Sequence, residues 1–133
     1  MKLVNCKDPE IGFKIFDMLM PVDTPRVELA YEIKNKMIEN PDNVFCCIGQ
    51  VLDTVTGFLI AYVVGGVVEI RHARTYFASF NYSELIFDIL KLWTKSKGVT
   101  NILIGTKDKK LRNYYNRVYG FSPLDDNIMR LEL

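Results

Sequence analysis

The side chains able to move protons fall on two segments. Glu69 and His72 stand three positions apart in the run from Val67 to Thr75, and Tyr114-Tyr115 form an adjacent pair nearer the C-terminus. A carboxylate or an imidazole can take a proton near neutral pH, and a phenol with an ordinary pKa of about 10 can give one up. If the first segment is a regular strand, alternation puts Glu69 and His72 on opposite faces, and a bulge between them would change that. Each group also has a plainer role, since a lone histidine on a strand more often packs than catalyses, and either tyrosine can serve only as packing. His72 is the single histidine, and the carboxylates show no ligand spacing, so no metal site is expected. Cys6 and the adjacent Cys46 and Cys47 make no even disulfide framework, which predicts a reduced, intracellular, cytoplasmic protein.

The chain has 133 residues, 49% of them hydrophobic and 25% charged, with a formal charge of +1. That fits one globular domain over 1–133, long enough for a real core. The small sum hides an asymmetry, because Arg71 to Arg117 holds ten basic and three acidic residues while the remainder holds seven basic and thirteen acidic. One side can therefore face anions and another cations. A nucleic-acid partner is not expected, because no recognition motif accompanies the basic surplus and the acids cancel it at long range. The longest uncharged run, Thr54 to Val68, is broken by Gly57 and Gly65-Gly66 and is too short to span a bilayer, and Met1 to Glu10 lacks an apolar signal region, so no membrane association is expected.

Periodicity supplies the elements that must position these residues. Lys2 to Asn5 reads as a short strand, and Asp8-Pro9-Glu10 as the start of a helix reaching about Met20. Thr24-Pro25 opens a second helix with Leu29, Ala30, Ile33 and Met37 inward and Glu32 and Lys36 on its solvated side, ended by Asn40-Pro41. Val44 to Leu52, Gly57 to Val64 and Val67 to Thr75, joined by Asp53-Thr54 and Gly65-Gly66, predict an antiparallel meander. A helix follows Phe80, with Leu85, Ile86, Ile89 and Trp93 on one stripe, closed by Gly98. A buried strand from Asn101 to Thr106, a helix from Asp108 to Tyr119 closed by Gly120, and a strand from Ile128 to Leu133 complete the order. This is an α/β (α+β) chain with a mixed, mostly antiparallel central sheet and helices on both faces.

That order, with Gly98, the strand around Ile102 to Ile104, Asp108, Leu111, Tyr114-Tyr115 and Gly120-Phe121 inside it, resembles the GNAT superfamily of acetyl-CoA-dependent N-acetyltransferases. Asp108 stands where the family has Asn, Leu111 where it has a smaller residue, and one extra residue separates Tyr115 from Gly120. The pyrophosphate loop, Q/R-x-x-G-x-G/A in the family, falls on Ala78-Ser79-Phe80-Asn81-Tyr82-Ser83, which has neither the basic or amide residue nor the glycines. Phe80, Asn81, Glu84 and Leu85 read instead as a capped helix start, with Asn81 capping and Glu84 reaching back.

The resemblance implies transfer of an acetyl group from acetyl-CoA to a small-molecule or peptide amine by direct attack. It implies Tyr115 as the acid for the leaving thiolate and Glu69 as the base, with His72 the second choice. It places cosubstrate contacts on the main chain of His72, Ala73 and Arg74, on a strand splayed from its neighbour, and on Ser79, Asn81, Tyr82 and Ser83 at the helix start. Lys107, Lys109, Lys110 and Arg112 would meet the 3′-phosphate or form only a solvated face. Asp17, Asp23, Glu28 and Glu32 would border an acceptor such as a polyamine or a lysine side chain. A chain with a capped loop can equally keep the fold as a catalytically inactive binding or assembly module. Exposed sheet edges would allow a homodimer, and no patch demands one.

Overall fold

The computed structural model describes residues 2–3, 24–51, 54–75 and 82–133. The helix expected between Pro9 and Met20, and the loop from Ala78 to Asn81, lie outside them. A single sheet runs in the order β1-β2-β3-β4-β5-β7-β6. It is built from β1 (Lys2–Leu3), β2 (Val44–Val51), β3 (Thr54–Val64), β4 (Val67–Thr75), β5 (Asn101–Gly105), β6 (Ser122–Pro123) and β7 (Ile128–Glu132). Every neighbouring pair is antiparallel except β4 and β5, which run parallel. A parallel pair needs a crossover, and α2 (Tyr82–Ser96) is that connection. The hairpin between β3 and β4 closes on Gly65 and Gly66, both at positive φ (56° and 82°), the conformation a two-residue turn of this hand requires.

Alternation divides the strands into two buried faces. Phe45 and Cys47 of β2, Leu59 and Ala61 of β3, Val68 and Ile70 of β4, Ile102 and Ile104 of β5, and Met129 and Leu131 of β7 share one core with Ile86, Phe87 and Leu90 of α2. Val44, Cys46, Phe58, Ile60 and Tyr62 are buried on the other face, outside that core, as are Ile33 and Met37 of α1 (Thr24–Glu39). The adjacent cysteines thus point to opposite faces, as expected of neighbours on a strand, and both are buried. No described helix is long and apolar enough to cross a membrane.

Two helix faces differ from expectation. On α2 the inward side is Ile86, Phe87, Leu90 and Thr94, with Ile89 and Trp93 on its flank, whereas Leu85 is 51% exposed. A stripe starting one residue later satisfies the same period, and Phe87 fixes the phase by stacking on Tyr119 with ring centroids 4.0 Å apart. Buried Thr94 keeps its hydroxyl satisfied by donating to the Leu90 carbonyl at 2.7 Å. On α1, Glu32 is not simply solvated beside Lys36, because it reaches across to Arg71 of β4.

The C-terminal helix shows how the departures from the family spacing are absorbed. Asp108 is the N-cap of α3 (Lys109–Tyr114), its carboxylate accepting from the main-chain N–H of Lys110 at 2.8 Å and Leu111 at 3.4 Å. Asp and Asn cap about equally well, so the exchange leaves the helix start intact. The extra residue lies in a π-helical turn over Tyr115–Tyr119, closed by the Gly120 N–H donating to the Tyr115 carbonyl. A π turn holds one residue more than an α turn, so the insertion is taken up locally. Gly120 at φ 80° then ends the helix and delivers Phe121 into the core.

Candidate active site

Strand β4 changes character at Arg71. On the β3 side, Ala61 pairs with Ile70 and Ile60 with His72, so Arg71 is an extra residue in a β-bulge. A bulge bends its strand and shifts the alternation by one. Glu69 and His72, on opposite faces of a regular strand, are therefore brought to the same face, the one that carries Phe58, Ile60 and Tyr62. On the β5 side, pairing covers Val68, Glu69 and Ile70 against Ile102, Leu103 and Ile104, and no pairing follows it among the described residues. β4 continues to Thr75 along β3 alone, so from Arg71 onwards its β5-side edge has no ladder partner among the described residues.

Glu69 is exposed and sits directly across the ladder from Tyr62 on one side and Leu103 on the other. His72 is half-buried and stacks on Phe58, with ring centroids 5.3 Å apart and planes 16° from parallel, so packing accounts for much of its environment. Ala73 pairs with Leu59 and packs on the α2-side core, and the Arg74 main chain pairs with Phe58. Tyr82 and Ser83 form the first turn of α2, with Glu84 exposed beside them. Ser79 and Asn81 lie outside the described residues.

Tyr115 is half-buried on the α2 side, with ring centroids 5.8 Å from Phe121, 6.0 Å from Tyr119 and 6.3 Å from Phe87. Of the adjacent tyrosines, it is Tyr115 that packs against the core, while Tyr114 is more exposed. Burial, and secondarily Tyr114, raise the Tyr115 phenol above its ordinary value, so it keeps its proton. Tyr115 and Glu69 therefore belong to opposite faces of the sheet.

The cations near α3 divide into two groups. Lys107, Lys109 and Lys110 are exposed, whereas Arg112 donates to the Thr106 carbonyl at 2.9 Å and the Asp125 carbonyl at 2.6 Å. Arg112 thus ties the helix to the β5 exit and the β6–β7 turn, a structural role that competes with holding a phosphate.

Sequence reasoning missed Tyr62 and Arg71. Tyr62 is 5% exposed, and its hydroxyl has no hydrogen-bond partner among the described residues. Its phenol is held well above the ordinary range by burial first and then by Glu32, with Cys46 and Glu69 adding and Arg71 opposing. Arg71 places both Nε and Nη2 on Oε2 of Glu32, at 3.1 and 3.0 Å. The available signal was one tyrosine in the otherwise apolar run from Phe58 to Val64.

No protein-family model matches the chain, and no curated protein sequence does. Solved structures do. An acetyltransferase of the GNAT family from Desulfovibrio desulfuricans superposes with a TM-score of 0.68 over 98% of this chain and 96% of its own, at 14% identity. Aminoglycoside 6′-acetyltransferase type Ii gives 0.67 over 99% and 97%, at 16% identity. The PaiA N-acetyltransferase from Thermoplasma acidophilum, in complex with coenzyme A, gives 0.61 over the whole of both chains, at 12% identity. Likeness across the full chain at so little identity lies in the architecture: this chain has the fold of the GNAT acetyltransferases.

Proposed function

We propose that this chain transfers an acetyl group from acetyl-CoA to the amine of a small molecule. The observation that carries the proposal is the unpaired edge of β4 beyond Ile70, at the bulge that brings Glu69 and His72 to one face. Acetyl-CoA, when bound, supplies the acetyl group already activated as a thioester. A strand without a neighbour suits its extended, amide-bearing arm, because main-chain groups can pair with those amides as they would with another strand. The main chain of His72, Ala73 and Arg74 takes that part. The first turn of α2, with Tyr82 and Ser83, offers its helix N–H groups to the pyrophosphate, and Ser79 and Asn81 are the further contacts that the resemblance implies.

Glu69, an exposed carboxylate one residue before the β4–β5 pairing ends, takes the proton from the incoming ammonium. Tyr115, kept neutral by burial, gives its phenolic proton to the leaving thiolate. Structural neighbours whose substrates are aminoglycosides support a small-molecule acceptor.

Acetylation of a panel of primary amines, followed by mass spectrometry, tests this. Wild type is expected to acetylate at least one amine, and Glu69→Gln to lower kcat/KM by about 10²-fold, the usual contribution of a positioned base. An unchanged rate in Glu69→Gln removes it from the mechanism. The alternative, a binding module without transfer, is favoured by one feature, the exposed carboxylate of Glu84 in the first turn of α2, where pyrophosphate would approach. A folded chain that binds no acetyl-CoA and acetylates no amine would select it.

A further inference from the structure

Resting on that function, we propose that Glu32 and Tyr62 form a subsite for a second ammonium group on the acceptor, and that Arg71 fills this subsite until the acceptor displaces it. Glu32 projects from α1 towards β4, Tyr62 lies on β3, and Glu69 is its direct cross-strand partner. Opposed positions on an antiparallel pair hold their Cβ atoms about 4.5–5.5 Å apart, so the Glu69 carboxylate and the Tyr62 ring are neighbours on the α1-side face. The bulge turns Arg71 towards the same place.

Two properties of this cluster point to a ligand. The first is the Tyr62 hydroxyl, buried in a residue only 5% exposed and without a hydrogen-bond partner among the described residues. Leaving such a group unsatisfied costs stability, and an N–H donor seated beside it removes that cost. The second is the form of the Arg71–Glu32 pair. Both nitrogens meet a single carboxylate oxygen, so the parallel two-oxygen fork that makes arginine–carboxylate pairs strong is absent. The side chains are 45% and 38% exposed, and pairs so open to water are weak. With Arg71 swung aside, two carboxylates and a phenol oxygen face the vacated space. That set accepts an ammonium, which donates to Glu32 and Tyr62 while the reacting amine of the same molecule lies at Glu69. The acceptor is thus a diamine with a short aliphatic spacer.

The probes are 1,4-diaminobutane and butylamine, titrated calorimetrically into the chain with and without coenzyme A. Wild type is expected to bind the diamine about tenfold more tightly. Tyr62→Phe and Glu32→Gln should each reduce that preference severalfold, and Arg71→Gln should tighten diamine binding because it removes the competing cation. Tyr62→Phe keeps the ring, so it decides the matter even if a charge variant fails to fold. Equal affinity for the two amines in both conditions overturns the subsite, as does weaker diamine binding in Arg71→Gln. A diamine preference in a chain that does not bind acetyl-CoA would end the transferase proposal and leave the subsite standing. Acetylation of amines with no diamine preference would do the reverse.

Discussion

The two faces of the sheet are made by the same strands and do different work. On the α2 side, β2, β3, β4, β5 and β7 contribute alternate apolar residues to one core, and Phe87, Tyr119 and Phe121 fill the space beneath the helices. On the α1 side, apolar Cys46, Phe58 and Ile60 share the surface with Tyr62, Glu69, Arg71 and His72. Close packing of hydrocarbon gives the first face its stability, while the second carries polar groups whose burial is costly unless something meets them. One inserted residue, Arg71, brings His72 onto the face that already carries Tyr62 and Glu69. The difference suggests that stability and chemistry can be changed separately, one face at a time.

The largest expected effect is on the apolar face. Phe121 is fully buried, and Phe121→Ala should cost about 3–5 kcal/mol, seen as a lower urea midpoint with an unchanged slope. A loss below about 1 kcal/mol would mean that this face is not the stabilising one. Next comes the residue at the boundary. Tyr115→Phe keeps the ring contacts with Phe87 and Phe121 and removes only the hydroxyl. It should slow acetyl transfer by about 10²-fold while leaving stability and acetyl-CoA affinity nearly unchanged. An unaltered rate would assign Tyr115 wholly to packing.

The smallest effect concerns Cys47, the cysteine of the α2 face. Burial raises its thiol from 9.0 to about 11. The folded chain therefore keeps a proton that the unfolded chain gives up earlier, so this contribution is complete below about pH 9 and disappears as pH rises towards about 11. Urea midpoints at about pH 8 and about pH 10.5 should fall further in wild type than in Cys47→Ala, since only wild type has that proton to lose. Equal falls would show that the thiol is not held in an apolar setting.

Much of the scaffold was legible because local chemistry and tertiary structure agree. Thr24-Pro25 and Asn40-Pro41 bracket α1, Gly65-Gly66 closes the β3–β4 hairpin, and Gly98 and Gly120 end helices at positive φ. The site was less so. Nothing in Val67 to Thr75 distinguishes an extra residue from a regular one, because a bulge is a relation between two strands, and its effect on Glu69 and His72 appears only in the register. The same holds for Glu32. Its spacing to Lys36 suggested a solvated helix face, and its actual partner, Arg71, is 39 residues away in sequence. Ser122–Pro123 was too short to register as a strand, though a proline is tolerated at the sheet edge where it lies.

The proposal turns on acetyl-CoA binding along the unpaired edge of β4 at the Arg71 bulge, and calorimetric titration of the chain with acetyl-CoA tests it. Saturable binding of one acetyl-CoA per chain, at concentrations well below millimolar, is the predicted result; no heat of binding at millimolar acetyl-CoA would contradict it.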